Sequence, residues 1–328
     1  MAINLSDYSS VFILTDENIA PFCLPEVCAW LHCPEAIEIV IKPGEQQKNL
    51  RMVQRIWNKL LKYNADRHSL LVNLGGGVIS DMGGFAASCF KRGIDFVNIP
   101  TTLLAMVDAS IGGKTGIDFG GFKNQIGTFA NPKDVLFNPV FLSTLPQREI
   151  LSGLAEMLKY GFIADSDLLQ VDLENYEKYI LCAAEIKKSI VAEDPFEQGS
   201  RKILNFGHTI GHAVESHYLT KENALLHGEA VAIGMWCALW LSVQKMGLDE
   251  SVLKDYETKL PMLLAEAQFA VGEEDVEGIM KKLVHDKKSR NGKPQFVLLE
   301  ALGNPVYDIE IESDMICEAL YHFQKVLF

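Results

Sequence analysis

Three histidines stand inside one apolar stretch of the chain: Asn205-Phe-Gly-His208-Thr-Ile-Gly-His212-Ala-Val-Glu215, followed by Leu226-His227-Gly228-Glu229. His208 and His212 are four apart and share a face if the stretch is helical, and neutral imidazoles on one face are a recurring way to hold a transition metal. Two core histidines bonded to backbone carbonyls would give the same spacing, so spacing alone leaves both readings open. A second reactive group runs from Thr101-Thr102 through Asp108, Gly112-Gly113-Lys114 and Lys123-Asn124. Rich in glycine, with two lysines and an aspartate, it suits a phosphorylated ligand better than a core. It lacks the Gly-x-x-x-x-Gly-Lys-Ser/Thr spacing of a nucleotide triphosphatase. Glu156 and Lys159 share a helical face, where a solvated pair is the simpler reading. Lys187 and Arg201 flank a turn containing Glu193, Asp194 and Glu197, where surface exposure is the default. His285-Asp-Lys287-Lys288-Ser-Arg290 is either a solvated loop or a lid carrying a phosphate-binding lysine.

Something must position these groups. Val11–Leu14, Glu38–Ile41, Leu70–Leu74 and Phe96–Ile99 read as strands, and Gln47–Lys62 has a helical period at Leu50, Val53, Ile56, Trp57, Leu60 and Leu61. Alternation of this kind predicts a parallel sheet covered by helices. The third strand runs into Gly75-Gly76-Gly77 and a helix near Val78, so backbone N–H groups can approach a pyrophosphate. Asp16, Asn18, Glu45, Lys48 and Asp81 fall at the C-terminal ends of the putative strands, where open sheets bind ligands; together they point to a dinucleotide. From about Gln147 the pattern becomes helical, with segments at Arg148–Ile163, Leu168–Ala192, Arg201–Tyr218, Gly228–Lys245 and Glu250–Glu266, and one strand at Gln295–Leu299. The expectation is an α/β architecture: a Rossmann-like parallel-sheet domain over residues 1–146, then a mainly α-helical domain over 147–328. The connection from Pro100 to Pro146 reads as a long polar loop.

Composition narrows the function classes. At 328 residues, 48% hydrophobic and 22% charged, the chain has ample core for two domains. A net charge of −13 with no basic cluster argues against a nucleic-acid partner. Seven cysteines with no Cys-x-x-Cys pair read as reduced thiols of a cytoplasmic protein. The apolar run Ala230–Val243 is too short to span a bilayer and reads as a buried helix, so no membrane association is expected.

Taken in order, the motifs resemble the 3-dehydroquinate synthase family of the sugar phosphate cyclase superfamily. They are Pro43-Gly-Glu45 with Lys48, Gly75-Gly-Gly-Val-Ile-Ser-Asp81, Arg92-Gly93, Pro100-Thr-Thr-Leu, Asp108-Ala-Ser-Ile-Gly-Gly-Lys114-Thr-Gly, Lys123-Asn124, Leu154-Ala-Glu156-Met-Leu-Lys159, Asn205-Phe-Gly-His208-Thr-Ile-Gly-His212, His227-Gly-Glu and Asp286-Lys-Lys. The resemblance implies conversion of 3-deoxy-D-arabino-heptulosonate 7-phosphate to 3-dehydroquinate and phosphate, a shikimate-pathway step dependent on NAD and on zinc or cobalt. It implies transient oxidation by NAD, phosphate elimination, reduction, ring opening and an intramolecular aldol closure.

The resemblance also assigns residues. Metal ligands match Glu156, His208 and His227, whereas His212 falls on the phosphate side, so the four-residue histidine spacing identifies one ligand of its two. Lys114, Asn124, Asn205, His212 and one of Lys287 and Lys288 hold the phosphate, and Lys187 and Arg201 receive the carboxylate. Arg92 reaches the phosphate from a neighbouring subunit, which implies a homodimer. Asp108, Lys123 and Lys159 lie around the reacting hydroxyls. Cofactor positions are Asp16, Asn18, Glu45, Lys48, Gly75, Gly76, Gly77, Asp81, Thr101, Thr102, Thr144, Leu145 and Glu149. Two departures stand out: Ser80 replaces a glycine, and Pro195-Phe196 interrupts a more charged turn. A cyclase for a substrate without a carboxylate has no use for Lys187 and Arg201 together with Asn205. A glycerol-type dehydrogenase has none for Lys114, Lys123-Asn124 and His212. An inactive NAD-binding regulator would be expected to lack a ligand or a key lysine.

Overall fold

The computed structural model describes residues 4–120, 122–219, 221, 224–267, 272–284 and 294–327. The chain divides into two compact units, Met1–Pro146 and Gln147–Phe328.

In the first unit, β1 (Val11–Asp16), β2 (Ile37–Ile41), β3 (Leu70–Gly75) and β4 (Asp95–Pro100) form a parallel sheet in the order β2-β1-β3-β4. Side chains alternate between its faces. Phe12, Leu14 and Leu71 join a core with Val53 and Ile56 of α2 (Leu50–Lys62) and Met82 and Phe85 of α3 (Gly77–Cys89). Ile13, Val72 and Leu74 face the other way, onto Cys23, Leu24 and Val27 of α1 (Ala20–Trp30). Both faces are covered, which is why these strands read as almost unbroken apolar runs.

Helix α2 begins at Leu50, not at Gln47. Glu45–Gln47 form a 3-10 turn, and Asn49, in extended conformation, accepts the Met52 N–H on its side-chain oxygen at 3.0 Å. Asn49→Ala is expected to cost about 1 kcal/mol through loss of this cap, read as a lower thermal midpoint with unchanged fold. The stretch between β4 and Pro146 is not an open loop. It holds a π-type turn at Ala105–Ala109 and an antiparallel hairpin of β5 (Lys114–Phe119) and β6 (Phe122–Phe129).

The second unit is mainly helical, but its helices are shorter than the sequence predicts. α4 (Gln147–Ile163) and α7 (His227–Met246) are continuous. Leu168–Ala192 is instead 3-10 turns at Ser166–Gln170 and Tyr176–Tyr179 followed by α5 (Ile180–Glu193). Asp172 accepts the Glu174 and Asn175 N–H groups, and Asn175 donates to the Gln170 carbonyl; these local bonds replace a helical ladder. Arg201–Tyr218 splits into a 3-10 turn, Ser200–Asn205, and α6 (His208–Tyr218), because Gly207 adopts φ +77°. Glu250–Glu266 becomes α8 (Glu250–Glu257) and α9 (Leu260–Leu263), with Pro261 in the first turn of the latter. α10 (Glu273–Val284), β8 (Asn304–Glu310) and α11 (Ser313–Leu327) are elements the sequence reading did not place; β8 pairs with β7 (Gln295–Ala301). No helix among the described residues is long and apolar enough to cross a membrane.

α6 and α7 meet backbone to backbone. A Cβ on Gly234 would lie 1.9 Å from the Gly207 carbonyl oxygen, a distance no side chain can occupy. The first turns of these two helices carry His208 and His227.

Candidate active site

In the first unit the strand ends gather a charged cluster. Gly75 ends β3, Gly76 precedes α3, and Gly77 opens it. Lys48, 4% exposed, donates from Nζ to Asp81 Oδ2 at 2.6 Å and to Asn124 Oδ1 at 2.7 Å. Burial alone would lower its pKa, but the charges of Asp81 and Glu45 outweigh this and hold the ammonium above the ordinary lysine range. Lys123 Nζ lies 3.5 Å from Glu45 Oε1. Asn124 takes φ +51°, with its N–H donating to Asp118 Oδ1. Thus Glu45, Lys48, Asp81, Lys123 and Asn124 come together, although the resemblance divides them between cofactor, hydroxyl and phosphate roles.

The other first-unit candidates are more dispersed. Asp16 ends β1 and accepts the Asn18 and Ile19 N–H groups, a capping geometry; burial raises its pKa. Thr101 is buried at the end of β4, and Thr102 Oγ1 accepts the Ala105 N–H at 3.1 Å, fastening the π-type turn that carries Asp108. Lys114 opens β5 and is exposed. Arg92 is exposed, with φ +70° between Lys91 and Gly93, both also at positive φ. Thr144, the last residue of a 3-10 turn, is exposed, and Leu145 just after it is half-buried.

The second unit holds the histidines. Glu156 and Lys159 are not a solvated pair: they are 0% and 1% exposed on α4 and in ionic contact. Glu156 Oε1 stands 3.3 Å from His208 Nε2 and 3.3 Å from His227 Nε2, yet neither Glu156 oxygen accepts a well-directed hydrogen bond from the described residues. Two ligands held ~2.0–2.1 Å from a cation at the tetrahedral angle are separated by ~3.3–3.4 Å, so both spacings match an edge of such a site. Burial would raise the Glu156 pKa, but the Lys159 charge and the imidazoles hold it well below the usual range. His208 Nδ1 donates to the Phe206 carbonyl at 3.0 Å, leaving Nε2 as the bare nitrogen; burial lowers its pKa and favours that neutral form. Burial acts in the same sense on His227, but the Glu215 charge and the contacts to Glu156 and Glu215 dominate and push it up to about 10.

His212 joins the cluster. Its ring centroid lies 5.2 Å from that of His208 and 5.7 Å from that of His227, and ligand atoms of the three imidazoles fall within 4.8 Å of one another. The helical spacing therefore does place His208 and His212 together. Glu215, which the sequence reading did not assign, is buried and brings Oε2 to 3.3 Å from His227 Nδ1. Its position seven residues after His208, nearly two turns along α6, is the signal that could have found it.

Lys187 and Arg201 contradict the surface reading: they are 7% and 2% exposed. Arg201 Nη1 donates to the Pro195 carbonyl at 2.6 Å, so the Pro195-Phe196 departure meets the guanidinium through its backbone. Asn205 Nδ2 donates to Glu197 Oε1 at 2.7 Å. Glu149 sits in the first turn of α4, and burial raises its pKa against the charge of Arg148. Lys287 and Lys288 lie outside the described residues.

Known proteins fit this picture. The family description 3-dehydroquinate synthase N-terminal matches residues 38–152, and 3-dehydroquinate synthase C-terminal matches 153–289. A 3-dehydroquinate synthase of Parabacteroides distasonis is 40% identical over 97% of this chain and 92% of its own length; one of Sulfurovum sp. is 39% identical over 97% and 91%. Among solved structures, a 2-deoxy-scyllo-inosose synthase complexed with carbaglucose-6-phosphate, NAD+ and Co2+ superposes with TM-score 0.86 at 23% identity, over 98% of this chain and 92% of that one. A 2-epi-5-epi-valiolone synthase of Streptomyces hygroscopicus subsp. jinggangensis, with NAD+ and Zn2+ bound, gives 0.83 at 26% identity over 96% and 91%. A glycerol dehydrogenase of Schizosaccharomyces pombe shares only the fold, at TM-score 0.59 and 13% identity, over 98% and 85%. With both halves matched and near 40% identity over almost its full length, the chain belongs to the 3-dehydroquinate synthase family.

Proposed function

We propose that this chain converts 3-deoxy-D-arabino-heptulosonate 7-phosphate to 3-dehydroquinate and phosphate, as a carbon–oxygen lyase using NAD and a zinc or cobalt ion. The observation that carries the reading is the buried Glu156 oxygen at 3.3 Å from two imidazole nitrogens, in a chain of this family. The donor set of one carboxylate oxygen and two imidazoles fits a catalytic divalent cation, which keeps a position open for substrate. Glu156, His208 and His227 would hold it. The Lys48–Asp81 pair beside the triple glycine, with Asp16, Asn18, Glu45, Thr101, Thr102, Thr144, Leu145 and Glu149, would bind NAD. When bound, the cation supplies Lewis acidity and the nicotinamide a reversible hydride acceptor.

The chain's own residues bind and orient. Lys187 and Arg201 would face the substrate carboxylate as buried cations whose charge-assisted bonds strengthen out of water. Lys114, Asn124, Asn205, His212 and one of Lys287 and Lys288 would hold the phosphate, with Arg92 added by a neighbouring subunit of a homodimer. Asp108, Lys123 and Lys159 would bond the reacting hydroxyls. The cationic pair for a carboxylate supports this substrate over those of the inosose and valiolone cyclases.

The test is phosphate release and carbocycle formation from the heptulosonate 7-phosphate, with NAD and metal, before and after chelation. Chelator-sensitive turnover without net NADH supports the reading; NADH accumulating with glycerol would replace it with a dehydrogenase. Arg201→Ala is expected to weaken carboxylate recognition by about 1.5–3 kcal/mol, the worth of one charge-assisted bond. Kinetics equal to wild type would place Arg201 outside the site. Arg92→Ala is expected to be inactive alone and partly rescued when mixed with a subunit disabled elsewhere; absence of rescue would assign Arg92 to its own subunit's site.

A further inference from the structure

Three residues of α4 spaced by four, Arg148, Ser152 and Glu156, share one helical face and meet three consecutive residues at the start of α7 in reverse order. Arg148 donates from Nε to Glu229 Oε1 at 2.6 Å and from Nη2 to Oε2 at 2.7 Å. Ser152 Oγ accepts the Gly228 N–H at 3.0 Å. Glu156 Oε1 faces His227 Nε2 at 3.3 Å. The segment entering α7 is tied down as well: Arg148 Nη2 donates to the Ala224 carbonyl at 3.0 Å, and Glu229 Oε2 accepts the Leu226 N–H at 2.7 Å. The two backbones touch without a side chain between them, since a Cβ on Gly228 would lie 2.0 Å from the Ser152 carbonyl oxygen.

We infer that Arg148 and Glu229 are positioning residues for cation binding: their clamp fixes the backbone of His227 against α4 and so sets the spacing of His227 from Glu156. The inference rests on the assignment of Glu156 and His227 as ligands. Neither clamp residue needs to touch the cation. A two-point Arg–carboxylate fork sets direction as well as distance, and Glu229, 2% exposed, is held where it cannot trade this partner for water. Outer-shell partners that orient a ligand typically change metal affinity by ~10–100-fold.

The experiment titrates Zn2+ and Co2+ into the full-length protein against a chromophoric chelator. It compares wild type with Arg148→Lys, which keeps the charge but loses the fork, and with the double variant Arg148→Met/Glu229→Gln, which leaves no unpaired buried charge. Expected are a ~10–100-fold weaker affinity for the double variant, a smaller loss for Arg148→Lys, and an altered Co2+ absorption spectrum in a protein whose far-UV circular dichroism is unchanged. A folded double variant with wild-type affinity and spectrum overturns the inference. If that variant does not fold, Arg148→Lys decides, and an affinity equal to wild type overturns it. Glu156→Gln run alongside separates the two readings: wild-type affinity there refutes the ligand assignment itself, not the clamp.

Discussion

Glu156→Gln is expected to abolish tight metal binding and, with it, turnover. The carboxylate is fully buried, and its negative charge faces Lys159, His208 and His227 at once. Glutamine keeps the shape and removes the charge, so the Lys159 ammonium and an incoming cation would share a buried site that has lost the carboxylate facing them both, with Glu215 set behind His227. Leaving a buried charge uncompensated costs about 3–5 kcal/mol, or roughly two to three and a half orders of magnitude in affinity. Metal content after dialysis, calorimetric titration with Zn2+ and phosphate release from the heptulosonate 7-phosphate measure the effect. Normal metal content with full turnover would remove Glu156 from the ligand set.

Lys48→Met is expected to disable the other unit. Methionine fills the buried volume but removes the cation between Asp81 and Glu45 and the Lys48 N–H donated to Asn124 Oδ1. Because the Asp81 and Glu45 carboxylates keep partial access to water, the expected loss of stability is about 1.5–3 kcal/mol, the worth of a hydrogen bond to a charged group. NAD affinity should fall more than tenfold, while Zn2+ affinity should hold, because every proposed ligand lies beyond Pro146. Thermal unfolding, NAD titration and Zn2+ titration on one preparation separate the outcomes. A lower thermal midpoint with unchanged NAD binding would make Lys48 a structural ion-pair partner and no part of a cofactor site.

The sequence made the sheet legible because strands covered on both faces leave apolar runs, as at Leu70–Leu74. β8 left no such trace: its residues are mostly exposed, and Pro305 near its start weakens the strand pattern. Helix breaks were missed where their cause is local side-chain bonding, as at Asp172 and Asn175, or a single left-handed glycine, as at Gly207. Charge also misled. Lys187 and Arg201 beside acidic residues read as surface, because burial depends on what the rest of the chain brings around them. The histidines and Glu156 were legible as types in a motif. The pairing of Arg148 with Glu229 was not, because residues 81 positions apart reveal their contact only once folded.

The backbone contact of α6 with α7 bears on how variants of this protein will be read. Gly207 and Gly234 have no reactive atom, yet any larger residue at Gly234, two turns into α7, must push away the start of α6 that carries His208 and so change its spacing from His227 at the start of α7. A saturation mutagenesis map scored by growth would therefore show this glycine to be as intolerant as a ligand. Scored by metal occupancy at low and at saturating zinc, the two classes should part: a spacing defect recovers with excess ion, whereas a missing donor atom does not.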